Sequence, residues 1–199
     1  QHVRRMSLID VHHAILPETA RLRPEPALLR AAAVAVAGHP GLQVLAPVDM
    51  VLHSAVHLFY DGEFDHGLRD LVDIHRLLQR FGADPAFWRQ LPGRAREMQL
   101  DRPLFYALRH AAAVLNTPVP TEVLAALRPA APNRLLLALM DQLFGRALLP
   151  RHASCSDRLT SSALFLLYIR GNWLRMPPLM LARHLMHKAL FTPKPAPEP

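Results

Sequence analysis

Cysteine, glycine-rich loops and long apolar runs are scarce in this chain, and each scarcity excludes a class of protein. Cys155 is the single cysteine among 199 residues, which excludes an internal disulfide framework and a cysteine-rich zinc site. No run of about eighteen or more uncharged apolar residues occurs, so no membrane-spanning helix is predicted. The chain also lacks a glycine-rich phosphate-binding loop and a nucleophile elbow. We therefore expect a cytoplasmic protein that uses none of these common catalytic motifs.

The composition is apolar and basic. Hydrophobic residues make up 51% of the chain, which is enough for a real core. The 23 Lys and Arg residues outnumber the 16 Asp and Glu residues, giving a formal net charge of +7. Such a basic balance favours phosphate-bearing partners or an anionic membrane surface, and it does not exclude nucleic acid. Composition drift and general solubility are the more common cause of such a balance, and the abundance of Ala, Leu, Arg and Pro fits that interpretation.

The hydrophobic pattern changes from strand-like to helical along the chain. Residues 5–15 alternate in polarity and predict a strand that carries Asp10 and His12 on one face, and a short strand is expected near 42–45. From Pro47 onward the apolar residues recur with helical spacing. This spacing predicts helices at about 47–60, 65–81, 85–98, 102–115, 121–127, 133–149, 156–175 and 178–191, after an Ala-rich helical stretch near 26–36.

The expected fold class is mainly α, or α+β with a small strand portion. Proline pairs and turn residues divide the chain, and Pro129 and Pro132 mark a hinge. The predicted parts are 1–46, 47–128, 133–191 and a disordered Pro-rich tail at 192–199.

Two helices carry His and Asp residues on one face. Asp49, His53 and His57 recur at i, i+4 and i+8, and a second trio recurs at i, i+4 and i+7, namely His66, Asp70 and Asp73. Imidazoles one turn apart can bind a metal ion with a carboxylate from a neighbouring helix, so His53, His57, His66 and Asp70 are alternative metal ligands. The other interpretation is a structural hydrogen bond between packed helices, for which His57 and Asp73 are the candidates.

The segment 171–191 mixes Trp, Leu and Met residues with Arg, Lys and His. This mixture is typical of a helix that lies on an anionic membrane surface or a protein partner. Packing against the rest of the chain is the alternative interpretation.

The order of several sequence features resembles a known family. These features are LIDVHHAI (8–15), LAPVDMVLHSAVH (45–57), LRDLVDIHRLL (68–78), Phe87 followed by Trp88, and a helix at 104–115. In this order they resemble the uncharacterised nucleotidyltransferase family of the DNA polymerase β-like superfamily, over about residues 6–120. The resemblance implies that residues 1–46 end a palm domain of mixed sheet and that a helical bundle follows.

The resemblance also implies a site and a cofactor. In that superfamily, three carboxylates hold two divalent ions that position a nucleoside triphosphate. Asp10 corresponds to the third carboxylate, so it is the expected catalytic metal ligand and Mg²⁺ the expected cofactor. The early Gly-Ser and Asp-x-Asp motif does not occur in this chain, which begins with Gln1 rather than Met. We therefore expect that an upstream segment supplies that motif and that this chain alone is inactive.

Three functions follow from these observations. The first, which the family resemblance implies, is nucleotide transfer from an NTP to an unknown acceptor. The second is a non-catalytic helical interaction module that binds a partner or an anionic membrane through residues 171–191. The third is a metal-dependent phosphohydrolase built on His53, His57, His66 and Asp70.

Overall fold

A computed structural model of the protein describes residues 14–191. Its elements are α1 (Pro26–Ala32), β1 (Val34–Ala35), β2 (Gln43–Val44), α2 (Pro47–Phe59), α3 (Gly67–Phe81), α4 (Pro85–Glu97), α5 (Asp101–Leu115), α6 (Thr121–Leu127), α7 (Arg134–Ala147), α8 (Thr160–Arg175) and α9 (Pro178–Phe191). Short 3-10 helices lie at Arg128–Ala130 and Ala153–Cys155. The predicted mainly α class is confirmed.

The strands form a small hairpin within the described residues. β1 and β2 pair antiparallel, with Val34 opposite Val44. The connection needs two residues with positive φ, and both are glycines, Gly38 at 76° and Gly41 at 84°. β2 confirms the short strand predicted near 42–45. Most of the strand predicted at 5–15 lies outside the described residues, and Ala14 and Ile15 at the end of that predicted strand lie in a bend. The tail predicted at 192–199 also lies outside the described residues.

Local sequence signals account for where the helices begin and end. Pro47 occupies the first turn of α2, where its missing N–H is not needed. The Asp84 side chain accepts a hydrogen bond from the Ala86 N–H at 2.8 Å and so caps α4. Asn116 ends α5 in the left-handed conformation, with φ 51°. These signals place the helices close to where the apolar periodicity predicts them.

The core is one cluster of buried side chains that extends from Leu16 to Leu167. α2 lies at its centre and packs against α3, α4 and α5. An aromatic group joins α2, α5 and α7, because the Phe144 ring lies 5.0 Å from the ring centroids of both Phe59 and Tyr106. α7 therefore shares its core with the helices that precede the Pro129 turn.

The chain before α1 is bound to the end of α8. The Arg21 N–H donates to the Leu174 carbonyl at 2.9 Å, and the Thr19 hydroxyl donates to the Arg175 carbonyl at 2.7 Å. The Tyr60 hydroxyl donates to the Leu174 carbonyl at 2.9 Å and accepts from the Leu22 N–H at 3.2 Å. These bonds satisfy carbonyls that the end of a helix leaves without intrahelical partners.

A close backbone contact joins the loop after α2 to α8. A Cβ on Gly62 would lie 2.7 Å from the Leu167 carbonyl oxygen and 2.9 Å from the Gly171 Cα. A Cβ on Gly171 would collide with the Asp61 carbonyl. The two glycines therefore permit a packing distance that any side chain would prevent.

Among the described helices, none is by itself long and apolar enough to cross a membrane. One pair, Thr121–Ala130 with Arg134–Ala147, meets the length and composition requirement only when taken together, and it is bent by 113°.

Candidate functional site

The predicted metal ligand Asp10 lies outside the described residues, as does His12. Its role therefore stays a prediction. The other predicted site residues lie on α2 and α3 or at their ends, and the structure describes them.

Asp49 is fully buried on α2 and forms an ion pair with Arg94 of α4. The two side chains meet through two hydrogen bonds, from Arg94 Nε to Asp49 Oδ1 at 2.7 Å and from Arg94 Nη2 to Asp49 Oδ2 at 2.8 Å. This two-point geometry is the strongest form of Arg–carboxylate contact. The carboxylate of Asp49 is thus engaged with the guanidinium of Arg94.

Arg94 connects three helices. Beyond Asp49, its guanidinium donates to the Leu28 carbonyl of α1 at 2.9 Å and to Glu97 at 2.8 Å. The hydrogen bond to Asp49 is the main cause that raises the pKa of Arg94, against the opposing effect of burial. Arg94 therefore fixes α1 and α2 against α4, and sequence reasoning missed it because its partner lies 45 residues earlier.

His57, in the last turn of α2, pairs with Asp61, which follows the end of that helix. Its Nδ1 lies 3.1 Å from Asp61 Oδ2. This hydrogen bond is the main cause that raises the pKa of His57 above its usual value, while partial burial opposes it. The side chain is 66% exposed. Among the described residues, Asp61 is thus the hydrogen-bond partner of His57. The sequence pattern instead suggests a buried hydrogen bond between His57 and Asp73.

Asp73 is exposed on α3, because its position turns away from the face that packs on α2. His66 is also exposed and precedes the first residue of α3 without capping it through its side chain. Asp70 accepts from Arg69 at 3.3 Å. His53 is exposed on α2. The two trios therefore do not converge on one buried point.

No group of three or more His, Cys, Asp or Glu side chains in the described part is arranged to hold a metal ion. The alternative ligand set of His53, His57, His66 and Asp70 therefore gains no geometric support. The described residues therefore also lack the carboxylate set that two divalent ions need.

Two further polar contacts hold the helices in place. His75 Nδ1 of α3 lies 2.7 Å from Thr117 Oγ1, and the Thr117 hydroxyl donates to the Ala111 carbonyl at 2.9 Å. Because a hydroxyl has one hydrogen to donate, His75 Nδ1 must carry the proton in this pair. The contact connects α3 to the end of α5.

His110 of α5 is buried among aromatic rings. Its ring stacks on Phe59 with centroids 5.6 Å apart and an interplanar angle of 15°. Its Nε2 has no hydrogen-bond partner in the described part, and Asp141 Oδ1 lies 3.8 Å away. Burial lowers the pKa of His110 to about 4, so the ring is neutral at neutral pH.

The described residues define a mainly helical protein with one small hairpin and helices fixed together by buried or half-buried polar pairs. A family model described as uncharacterised nucleotidyltransferase matches residues 1–116, more than half of the 199 residues. The chain belongs to this family, as its sequence features predicted. Comparison with curated proteins and with solved structures finds no match.

Proposed function

We propose that the chain forms part of a nucleotidyltransferase that transfers a nucleotide from an NTP to an acceptor. Membership of the nucleotidyltransferase family, over residues 1–116, is the observation that carries this proposal. Asp10 lies inside the matched residues, and we assign it the role of a metal-binding carboxylate.

Mg²⁺ is the proposed cofactor. When bound, it would neutralise charge on the triphosphate and orient it. The described residues do not contain the necessary carboxylate set. Under this proposal, the ions are held by Asp10 and by carboxylates outside the described residues.

The proposed organisation gives the helices a supporting role. Residues 1–46 end the palm, and residues 47–128 and 133–191 form the helical part. The Arg94 contacts to Asp49 and to the Leu28 carbonyl fix α1 on this helical part. They would thereby fix the last part of the proposed palm, which includes α1, on the helices.

The test uses the native gene product purified from its source cells. It is incubated with Mg²⁺ and labelled NTPs, and label transfer to protein, RNA and small-molecule fractions of an extract is measured. We expect Asp10→Asn to reduce transfer by at least about 100-fold, because a lost metal ligand weakens ion binding more than a lost supporting contact does. Unchanged transfer in this variant would remove Asp10 from the site.

Glu122→Gln provides the matched control. It also converts a carboxylate to an amide, but Glu122 is exposed on α6 and lies beyond the matched residues. Its transfer rate should equal that of the unmodified protein. Equal losses in both variants would indicate a general effect on the protein and not a metal site.

A second candidate function is binding to an anionic membrane through α9. The observation that favours it is the exposure of large apolar side chains on this basic helix, with Leu179 83% and Met186 60% exposed. A helix that combines such side chains with Arg183 is suited to the boundary between lipid headgroups and acyl chains.

Vesicle sedimentation tests this candidate. Binding to phosphatidylserine vesicles should exceed binding to phosphatidylcholine vesicles and should weaken as salt is raised, since salt screens the charge attraction. Leu179→Gln should weaken it further, whereas Leu135→Gln, at an equally exposed position on α7, should not. Absence of binding at low salt contradicts membrane attachment by α9.

A further inference from the structure

A cavity of about 740 Å³ opens between α5, α7, α8 and the chain around Arg21. Its walls are mostly apolar and include Leu139, Met140 and Leu143 of α7 and Leu166 of α8. This volume lies within the usual range of about 300–1,000 Å³ for small-molecule sites. Residues from both sides of the Pro129 turn are needed to form it.

Arg170 of α8 lines this cavity and is mostly buried. Its guanidinium lies 5.7 Å from the Tyr106 ring centroid and 5.6 Å from the Phe144 ring centroid. Its Nη1 donates to the Phe59 carbonyl at 2.8 Å. No carboxylate of the described residues lies within ion-pair distance of it. A charge removed from water without a counter-ion is costly, and burial accordingly lowers the pKa of Arg170.

Two further arginines line the same cavity. Arg102 Nε donates to the Ala130 carbonyl at 2.9 Å, and Ala130 itself lines the cavity. Arg21 Nε donates to the Trp173 carbonyl at 3.0 Å, and its guanidinium lies 4.4 Å from the Trp173 ring centroid. Among the described residues that line the cavity, three are arginines and one, Asp101, is acidic.

We propose that this cavity binds a phosphate monoester with an apolar body. The apolar walls would cover the body, and the guanidinium groups of Arg21, Arg102 and Arg170 would receive the phosphate. The observed hydrogen bond to a carbonyl holds each guanidinium in place. Because a guanidinium has five N–H donors, each arginine keeps further donors for the phosphate. A phosphate monoester has a charge of about −1.5 to −2 at neutral pH and three acceptor oxygens, which balances the excess positive charge. This binding is separate from the nucleotidyl transfer proposed above.

Isothermal titration calorimetry with 1-naphthyl phosphate tests the proposal on the full chain, without NTP or Mg²⁺. Inorganic phosphate presents the charge alone, and 1-naphthol presents the apolar body alone. We expect 1-naphthyl phosphate to bind at least about tenfold more tightly than either, because it makes both kinds of contact. Equal affinity for inorganic phosphate and 1-naphthyl phosphate would overturn the role of the apolar walls, and absence of saturable binding would overturn the site.

Substitutions separate this site from general charge attraction. Arg170→Gln and Arg102→Gln should each weaken binding by about tenfold or more, since each removes charged donors to the phosphate. Arg89→Gln is the control, because it removes the same charge from an exposed position on α4 outside the cavity. If Arg170→Gln fails to fold, Arg102→Gln decides alone, because Arg102 is exposed. An equal affinity of Arg102→Gln and Arg89→Gln for the probe would refute the proposal.

Discussion

A buried carboxylate with a single guanidinium partner makes stability depend on both members of the pair. Asp49 is fully buried, and the side chain of Arg94 is 14% exposed. We expect Asp49→Asn to lower the free energy of unfolding by about 3–5 kcal/mol, because it leaves Arg94 without its main counter-ion. Urea unfolding at neutral pH measures this change.

The control for this substitution is Asp73→Asn, at an exposed position on α3. It should change the free energy of unfolding by no more than about 0.5 kcal/mol. Replacing both members of the pair, with Asp49→Leu and Arg94→Met, should recover part of the loss, because no unpaired charge is then left inside. A loss below about 1 kcal/mol in Asp49→Asn would show that the pair is not desolvated in solution.

The buried His110 makes the stability of the fold depend on pH. Burial lowers its pKa in the folded protein from 6.5 to about 4, and Asp141 and Arg109 next to it act in opposite directions. Between these values the unfolded chain binds the proton and the folded chain does not, so stability falls as the pH decreases. Between about pH 7.5 and about pH 4.5, the contribution of His110 lowers the free energy of unfolding by about 2–3 kcal/mol.

His110→Phe should remove this contribution while it keeps an aromatic ring on Phe59. Urea unfolding at both pH values measures the difference between the variant and the unmodified chain. The variant should lose about 2–3 kcal/mol less on acidification. The same acid dependence in both proteins would mean that His110 is not buried in its neutral form.

At the scale of elements, the contact between the loop after α2 and α8 depends on the absence of a side chain. Gly171→Ala would place a methyl group against the Asp61 carbonyl, and both partners are backbone atoms that cannot rotate away. We expect a loss of about 1–3 kcal/mol in the free energy of unfolding. Thermal and urea unfolding measure it.

Gly93→Ala is the comparison for this substitution. Gly93 also lies inside a helix, but a Cβ there would contact nothing within 4 Å. This change should raise stability by about 0.5–1 kcal/mol, because alanine loses less backbone entropy in a helix than glycine. A stabilising Gly171→Ala would show that α8 can move away from the loop.

The helices could be predicted from the sequence because their signals are local. Apolar spacing, the prolines at first turns and Asn116 at the end of α5 act within a few residues of the boundary they set. Only part of the hairpin is predictable from the sequence. The pattern indicates a strand near 42–45, where β2 lies, but it also indicates a helix that continues to about 36, whereas α1 ends at Ala32 and β1 follows at Val34–Ala35.

The polar pairs could not be predicted in the same way. Spacing along one helix places Asp49, His53 and His57 on a similar side, but it does not show which neighbouring helix each one faces. Arg94 lies 45 residues from Asp49, and the three cavity arginines come from three separate parts of the chain. Such contacts depend on how helices pack against each other, which a single sequence does not specify.

At the scale of the whole molecule, the family match and the core do not cover the same residues. The match ends at residue 116, whereas the core includes Phe144 and Leu167 from later helices. Phe144 packs directly against Phe59 and Tyr106, which lie within the matched part. The later helices therefore complete the core of the family portion in this protein.

The attachment of residues 19–22 to the end of α8 has a consequence for biosynthesis. The paired side chains and carbonyls are 152 to 156 residues apart in the chain. At roughly 5–20 residues per second, the ribosome needs about 8–30 s to make that stretch. During this interval the early segment has no α8 to bind, so chaperones and other nascent chains can reach it before its final partner has been translated.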